Sequence, residues 1–135
     1  MSCDTPSLAP AAKRQITLQV GERRFITTRE TLVDGSGFFA SLLWGRWDNA
    51  QEDGSYFIDA NANLFEHILS YLRRGTLPLF YDKKKGHDYA LYLALREEAK
   101  CFQITHLKEW LEKKQYLHAL KTKYSVIISV QLQIL

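Results

Sequence analysis

Between Gln15 and Leu43 the apolar residues change period, and that change puts both strands and helices into one short chain. Ile16, Leu18 and Val20 alternate with Gln15, Thr17 and Gln19, the period of two that marks a half-buried strand. Gly21 and Glu22 follow as a turn, since Gly21 tolerates positive φ. Phe25 and Ile26 then open a second strand, and strand, tight turn, strand reads as a β-hairpin. Thr27 and Glu30 have capping-box spacing, which starts a short helical turn with Leu32 pointing inward. Gly35, Ser36 and Gly37 break the chain and offer Ser36 as an N-cap. Phe38, Phe39, Leu42 and Leu43 recur at helical spacing, and Gly45 ends that helix.

The same reading continues along the chain. Residues 48–54 are polar and form a loop. Tyr56, Phe57 and Ile58 make a short strand that stops at Asp59. Asn61 or Asn63 caps a helix whose apolar face is Leu64, Phe65, Ile68, Leu69 and Leu72. Gly75 sits just past its end and Pro78 prevents continuation. Leu77 to Tyr81 is an apolar loop or a short strand, and residues 82–86 form a solvated lysine turn. Asp88 caps the next helix, with Tyr89, Tyr92, Leu95, Ala99 and Phe102 as its buried stripe. After a break near Gln103 the last helix turns Ile104, Leu107, Leu111 and Leu117 inward, and Lys108, Glu109, Glu112, Lys113 and Lys114 outward. Tyr124 to Leu135 is uncharged and alternates strongly, the strongest strand signal in the chain. Such a segment must pair or be covered. It either adds to the sheet or crosses to a neighbouring subunit.

Composition removes several classes of function. A length of 135 residues fits one domain, large enough to hold a core without disulfide or metal staples. Cys3 and Cys101 supply neither a disulfide framework nor a four-ligand zinc site. A net charge of +3 is too small to argue for nucleic acid. No apolar run approaches the roughly 18 residues of a membrane-spanning helix, and Met1 to Lys13 lacks the apolar core of a signal peptide. These features lead to an expectation of a soluble intracellular domain. The chain has no glycine-rich phosphate loop, nucleophile elbow or metalloprotease motif. Glu97 and Glu98 are adjacent and diverge on a helix, so they are no facing acid/base pair. His67, His87, His106 and His118 are scattered, and Cys101 stands five residues from His106, not the i, i+4 spacing of a helical ligand pair. Cys101 reads as a small buried hydrophobe, His87 as a residue that caps or orients the helix after Asp88, and Lys83, Lys84 and Lys85 as a solvated turn. No catalytic residue, cofactor or metal is expected.

Several ordered blocks carry a resemblance. Ile16-Thr-Leu-Gln-Val-Gly21, Phe25-Ile-Thr-Thr-Arg-Glu-Thr-Leu32 and Ser36-Gly-Phe-Phe-Ala-Ser-Leu-Leu43 resemble the opening of the BTB/POZ fold, in its potassium-channel tetramerisation branch. Gly54-Ser-Tyr-Phe-Ile-Asp59, Phe65 to Gly75, Leu77-Pro-Leu79 and Glu97-Glu-Ala99 continue the match. With Gly86-His-Asp88 and Trp110-Leu111 the whole is most similar to filamentous-fungal members. There are three departures. The family's paired hairpin glycines are here Gly21 and Glu22, which implies a less tight turn. Ala60-Asn-Ala-Asn63 replaces an Asp-Pro helix entry and bears on an intersubunit polar contact. The His and clustered cysteines that hold zinc between subunits in channel relatives are missing, so no metal carries over.

The resemblance implies an α/β domain, a small three-stranded sheet flanked by about five helices, with an extra C-terminal strand as an option. Its expected limits are residues 15–121, after a flexible lead at 1–14 and before the apolar strand segment at 122–135. It also implies a non-enzymatic module that self-associates in rings of four or five copies and serves as an adaptor for a cullin-3 type ubiquitin ligase, in cytoplasm or nucleus. The alternative is a transcription-linked or orphan oligomeric scaffold that does not bind cullin. No nucleic-acid or membrane partner is implied. Thr27, Thr28, Arg29, Asp59, Asn61, Arg73 and Arg74, polar residues of the matched blocks, are the candidates for a ring interface. Trp44, Trp47, Phe80 and Tyr81 are the candidates for partner contact, because tryptophan and tyrosine are enriched at interfaces.

Overall fold

The structure, a computed structural model, describes residues 15–44 and 50–119. β1 (Gln15–Val20) is the middle strand of a three-stranded sheet. It pairs antiparallel with β2 (Arg23–Thr28) and parallel with β3 (Tyr56–Ile58). Val20 pairs with Arg23, so β2 starts two residues before Phe25 and only Gly21 and Glu22 form the connection. The looser turn expected from a single glycine is not found. Gly21 takes a φ of 55° at the first central position, where a two-residue hairpin turn of the II′ type needs it. Its N–H also bonds the Ile58 carbonyl at 3.0 Å, and a Cβ there would lie 2.9 Å from the Ala60 carbonyl oxygen. One glycine closes the hairpin and seats its tip against the end of β3.

Two short helices, α1 (Arg29–Gly35) and α2 (Gly37–Leu42), carry the chain from β2 back toward β3. The cap of α1 is Thr28, whose Oγ1 accepts from the Thr31 N–H at 3.2 Å. The capping-box spacing points to Thr27 as the cap, but Thr27 is still in β2 and points inward, 7% exposed. The strand runs one residue further than the capping-box spacing implies. Ser36 caps α2 as expected, accepting from Phe39 N–H at 3.2 Å. Its hydroxyl donates to the Phe102 carbonyl at 2.6 Å, and the Gly37 and Phe38 N–H groups bond the Gln103 and Phe102 carbonyls.

α3 (Ala62–Arg74) is capped by Asn61, which settles the choice between the two asparagines, and ends at Gly75 with a left-handed φ of 70°. β4 (Tyr81–Asp82) and β5 (Gly86–His87) form a separate two-stranded ribbon with the lysine turn at its tip. α4 (Tyr89–Cys101) is capped by Asp88. α5 (Thr105–Glu112) follows a break at Gln103, which takes a φ of 55°.

Ile16, Leu18, Val20, Phe25 and Ile58 from the sheet meet Leu32, Phe39, Phe65, Ile68, Leu95 and Phe102 from the helices in one apolar core. Burial at roughly 25 cal/mol per Å² of apolar surface holds these layers together. The Phe39 and Phe102 rings stack at 5.5 Å, and Phe65 meets both edge-on. Three expectations fail at the margins. Tyr89 opens α4 and is 51% exposed, so the buried stripe starts at Tyr92. Leu117 is 42% exposed, and Tyr116 is buried in its place. Lys114 takes a φ of 54°, which breaks the helical phase after α5 and turns residue 116 inward. Cys101 is exposed rather than buried, because it lies on the α4 face opposite the core stripe.

Candidate interaction surfaces

The alternation that buries one face of the sheet turns Thr17, Gln19, Arg24, Ile26 and Phe57 to the other. Ile26 on β2 is 59% exposed and Phe57 on β3 is 54% exposed. Thr17 pairs with Ile26, and Gln19 pairs with both Arg24 and Phe57. The outer face therefore carries a large apolar side chain on each flanking strand and polar residues on the middle one. Arg24 reaches Asp53 Oδ2 at 2.6 Å, which draws the loop ahead of β3 toward this face.

The two flanking strands have different surroundings. Beside β2, Arg73 Nη2 donates to the Ile26 carbonyl at 2.9 Å. That bond ties the C-terminal turn of α3 to the strand and leaves Arg74 next to it, exposed and with no side-chain partner among the described residues. Arg23 bridges to Glu66 Oε1 at 2.7 Å and holds that carboxyl below the usual range, through its hydrogen bond and then its charge. The Arg29 guanidinium donates to the Leu43 carbonyl, and Thr28 is half-buried as the α1 cap.

Beside β3, a groove of about 280 Å³ opens between the strand and α4. Phe38, Phe57, Ile58, Ala60 and Phe102 form its apolar walls, and Asp59, Glu98 and Cys101 are its polar members. Glu98 Oε1 is buried with no hydrogen-bond donor among the described residues, and burial raises that carboxyl above its ordinary pKa. Asp59 and Asn61 are both exposed here, and Asn61 uses its side-chain oxygen on the α3 cap.

A third surface surrounds the ribbon. Phe80, Tyr81 and Asp82 face Lys85 to Asp88 across an open cleft of about 490 Å³. Phe80 is half-buried against His67 and Tyr92, with ring centroids 4.8 and 5.1 Å away. Tyr81 is 38% exposed, with its ring 5.1 Å from that of His87. The Tyr92 hydroxyl accepts the Phe80 N–H at 2.8 Å and lies 3.0 Å from His87 Nδ1. This agrees with an orienting part for His87. Trp44 is 70% exposed after α2, and Trp47 lies outside the described residues.

Six of the seven ring-interface candidates thus fall into two groups. Thr28, Arg29, Arg73 and Arg74 belong to the β2 side, and Asp59 and Asn61 to the β3 side. Thr27 is sealed inside the subunit. Sequence reasoning passed over Ile26, Phe57 and Glu98. The signals were present: Ile26 alternates with the inward Phe25 and Thr27, Phe57 sits between Tyr56 and Ile58, and Glu98 stands three residues after Leu95 on the buried side of α4. Among the described residues no group of three or more His, Cys, Asp or Glu side chains is placed to hold a metal, and no helix is long and apolar enough to cross a membrane.

The model of the BTB/POZ domain family matches residues 16–113. The chain belongs to the BTB/POZ family. This BTB/POZ domain is 39% identical over 102 residues to BTB/POZ domain-containing protein KCTD9 of Mus musculus, an alignment covering 72% of the chain and 28% of that protein. It is 45% identical over 75 residues to an uncharacterized protein of Dictyostelium discoideum, covering 55% of the chain and 10% of that protein. It is 35% identical over 104 residues to SH3KBP1-binding protein 1 of Rattus norvegicus, covering 76% of the chain and 14% of that protein. The chain therefore spans less than a third of each of these relatives. The potassium-channel tetramerisation-like branch and the mixed α/β fold expected from sequence both stand. The domain is of the protein-interaction and oligomerisation type.

Proposed function

We propose that copies of this BTB/POZ domain bind one another head to tail, four or five to a ring, and that the ring serves as a non-enzymatic adaptor for a cullin-3 type scaffold in cytoplasm or nucleus. One observation carries the self-association. The two flanking strands of one sheet present unlike surfaces, an arginine side at β2 and a carboxylate groove at β3. A contact between unlike surfaces is heterologous, and it closes into a ring when the rotation fits. The exposed aromatics Trp44 and Tyr81 and the half-buried Phe80 are the surfaces offered to the scaffold. Several copies in one ring raise the effective concentration of each weak contact.

Light scattering on the purified chain tests the ring, with a mass of four or five subunits expected. A single-subunit mass at all concentrations would remove the reading. Capture of the chain by a cullin-3 N-terminal region, weakened by Tyr81→Ala, is the expected second result. A ring without capture would leave the scaffold reading that does without cullin.

A further inference from the structure

We propose that the β3 groove is a socket for an arginine of the neighbouring copy, with Arg74 entering and its guanidinium pairing with the Glu98 carboxylate. This rests on the head-to-tail reading above and assigns the residues that make it.

The case starts from an imbalance inside one subunit. Glu98 Oε1 is buried and receives no hydrogen bond from the described residues. A buried carboxylate oxygen without a donor is costly, and the cost disappears when a charged donor arrives. The groove around it is apolar on most sides, with Phe57 and Phe102 among its walls. At about 280 Å³ it has room for a planar guanidinium. Guanidinium groups suit such a place: they pair with both oxygens of a carboxylate, stack on aromatic faces and are weakly hydrated.

Among the described arginines, Arg23, Arg24, Arg29 and Arg73 are each already held within their own subunit. Arg96 pairs with Glu97. Arg74 is exposed and unpaired among the described residues. It also stands on the correct side. The Arg73 bond to the Ile26 carbonyl fixes this turn of α3 beside β2, while the groove lies beside β3, at the opposite edge of the same sheet. When the β2 side of one copy meets the β3 side of the next, Arg74 and the Glu98 carboxylate come to the same contact. The exposed Ile26 and Phe57 then lie on the two sides of the same contact, where they lose water together.

A charge-swap experiment on the full chain tests the pairing. Sedimentation would compare the wild type with Glu98→Gln, Glu98→Arg, Arg74→Glu and the double variant Glu98→Arg/Arg74→Glu. Each single variant is expected to weaken assembly about tenfold or more, and the double variant to recover most of that loss, as coupled residues do. Circular dichroism checks folding, and Glu98→Gln keeps the test valid if the arginine variant does not fold. Single variants that are folded and assemble as the wild type does would overturn the pairing, as would a folded double variant with no recovery. Either result leaves the ring itself standing. A wild-type chain that never assembles removes both.

Discussion

Ser36 and Glu98 approach the same Phe102 from different elements, and they are treated in opposite ways. Ser36 is 2% exposed and fully used: its oxygen accepts the Phe39 N–H, and its hydroxyl donates to the Phe102 carbonyl. Glu98 has a buried oxygen with no donor, in a groove whose wall includes the Phe102 ring. A satisfied buried polar group belongs to the fold of one subunit. An unsatisfied one at the rim lowers stability unless something outside the subunit completes it. The difference separates the residues that build this domain from those that join it to another.

If that division is correct, Ser36→Ala has the largest effect. It removes an N-cap, usually worth about 1 kcal/mol, and takes a strong bond from a buried carbonyl that keeps only the longer Phe38 N–H contact at 3.4 Å. We expect a loss of about 2 to 3 kcal/mol in urea unfolding, with the loss appearing at every protein concentration. A loss that grows with concentration would mean that Ser36 also serves assembly.

Tyr92→Phe extends the satisfied side of the comparison. The hydroxyl accepts the Phe80 N–H at 2.8 Å and contacts His87, and the ring stacks on Tyr116 at 3.6 Å. Removing only the oxygen keeps the stacking and leaves the Phe80 N–H unpaired. We expect a loss of about 1 to 2 kcal/mol by the same unfolding measurement. Scaffold capture should weaken with it, because the bond holds Phe80 beside the ribbon cleft.

How far this division is legible in the sequence depends on the residue. Ser36 is legible because a cap is a local device: a polar residue between two glycines, followed by helical spacing, specifies it. The same holds for Asn61, Gly75 and Asp88, each of which ends or starts a helix through neighbours three or four residues away. The hairpin tip reads as loose because the second glycine is missing, yet only the first central position needs positive φ. Local spacing puts the α1 cap at Thr27 and the inward residue at Leu117, each one position off, since strand length and the break at Lys114 are set by packing that it does not encode. The groove as a whole is not legible, although local period places Glu98 on the buried side of α4 and Phe57 outward on β3. It brings β3, α2 and α4 together across more than sixty residues of chain, and no period or motif marks an oxygen that lacks a partner.

On the unsatisfied side the sign reverses. Glu98→Met replaces a buried carboxyl by an apolar side chain of similar length. We expect the isolated subunit to gain stability while assembly weakens, with the gain on the order of 1 kcal/mol. The gain has a pH dependence. Burial raises the Glu98 pKa in the folded subunit, so the folded state favours the protonated form. The protonated wild type is not penalised at pH values below the unfolded carboxyl pKa. The penalty develops as pH rises through the folded value. The difference between Glu98→Met and wild type, measured on dilute subunits, should therefore be near zero in acid and grow toward neutral pH.

The smallest effect comes from the carboxyls shifted the other way. Two hydrogen bonds from Ser55 and one from Arg24 hold Asp53 far below the usual carboxylate range, with the Ser55 hydroxyl the largest cause. The Arg23 hydrogen bond lowers Glu66. A depressed folded pKa contributes stability that is present above the unfolded value and lost as pH falls toward the folded one. The arginine pairs lie at the surface, where salt screens them, so the loss between about pH 5 and pH 2 should be modest, and the part due to Arg23 and Arg24 should shrink in 1 M salt while the Ser55 part remains. Asp53→Asn should flatten that acid limb without touching the neutral-pH behaviour of Glu98. Because the two carboxyl classes move stability in opposite directions over different ranges, a pH series on wild type, Asp53→Asn and Glu98→Met resolves them. If Asp53→Asn also changed the neutral-pH gain of Glu98→Met, the groove and the outer sheet face would be coupled, and treating Glu98 as an independent contact for a second copy would no longer hold.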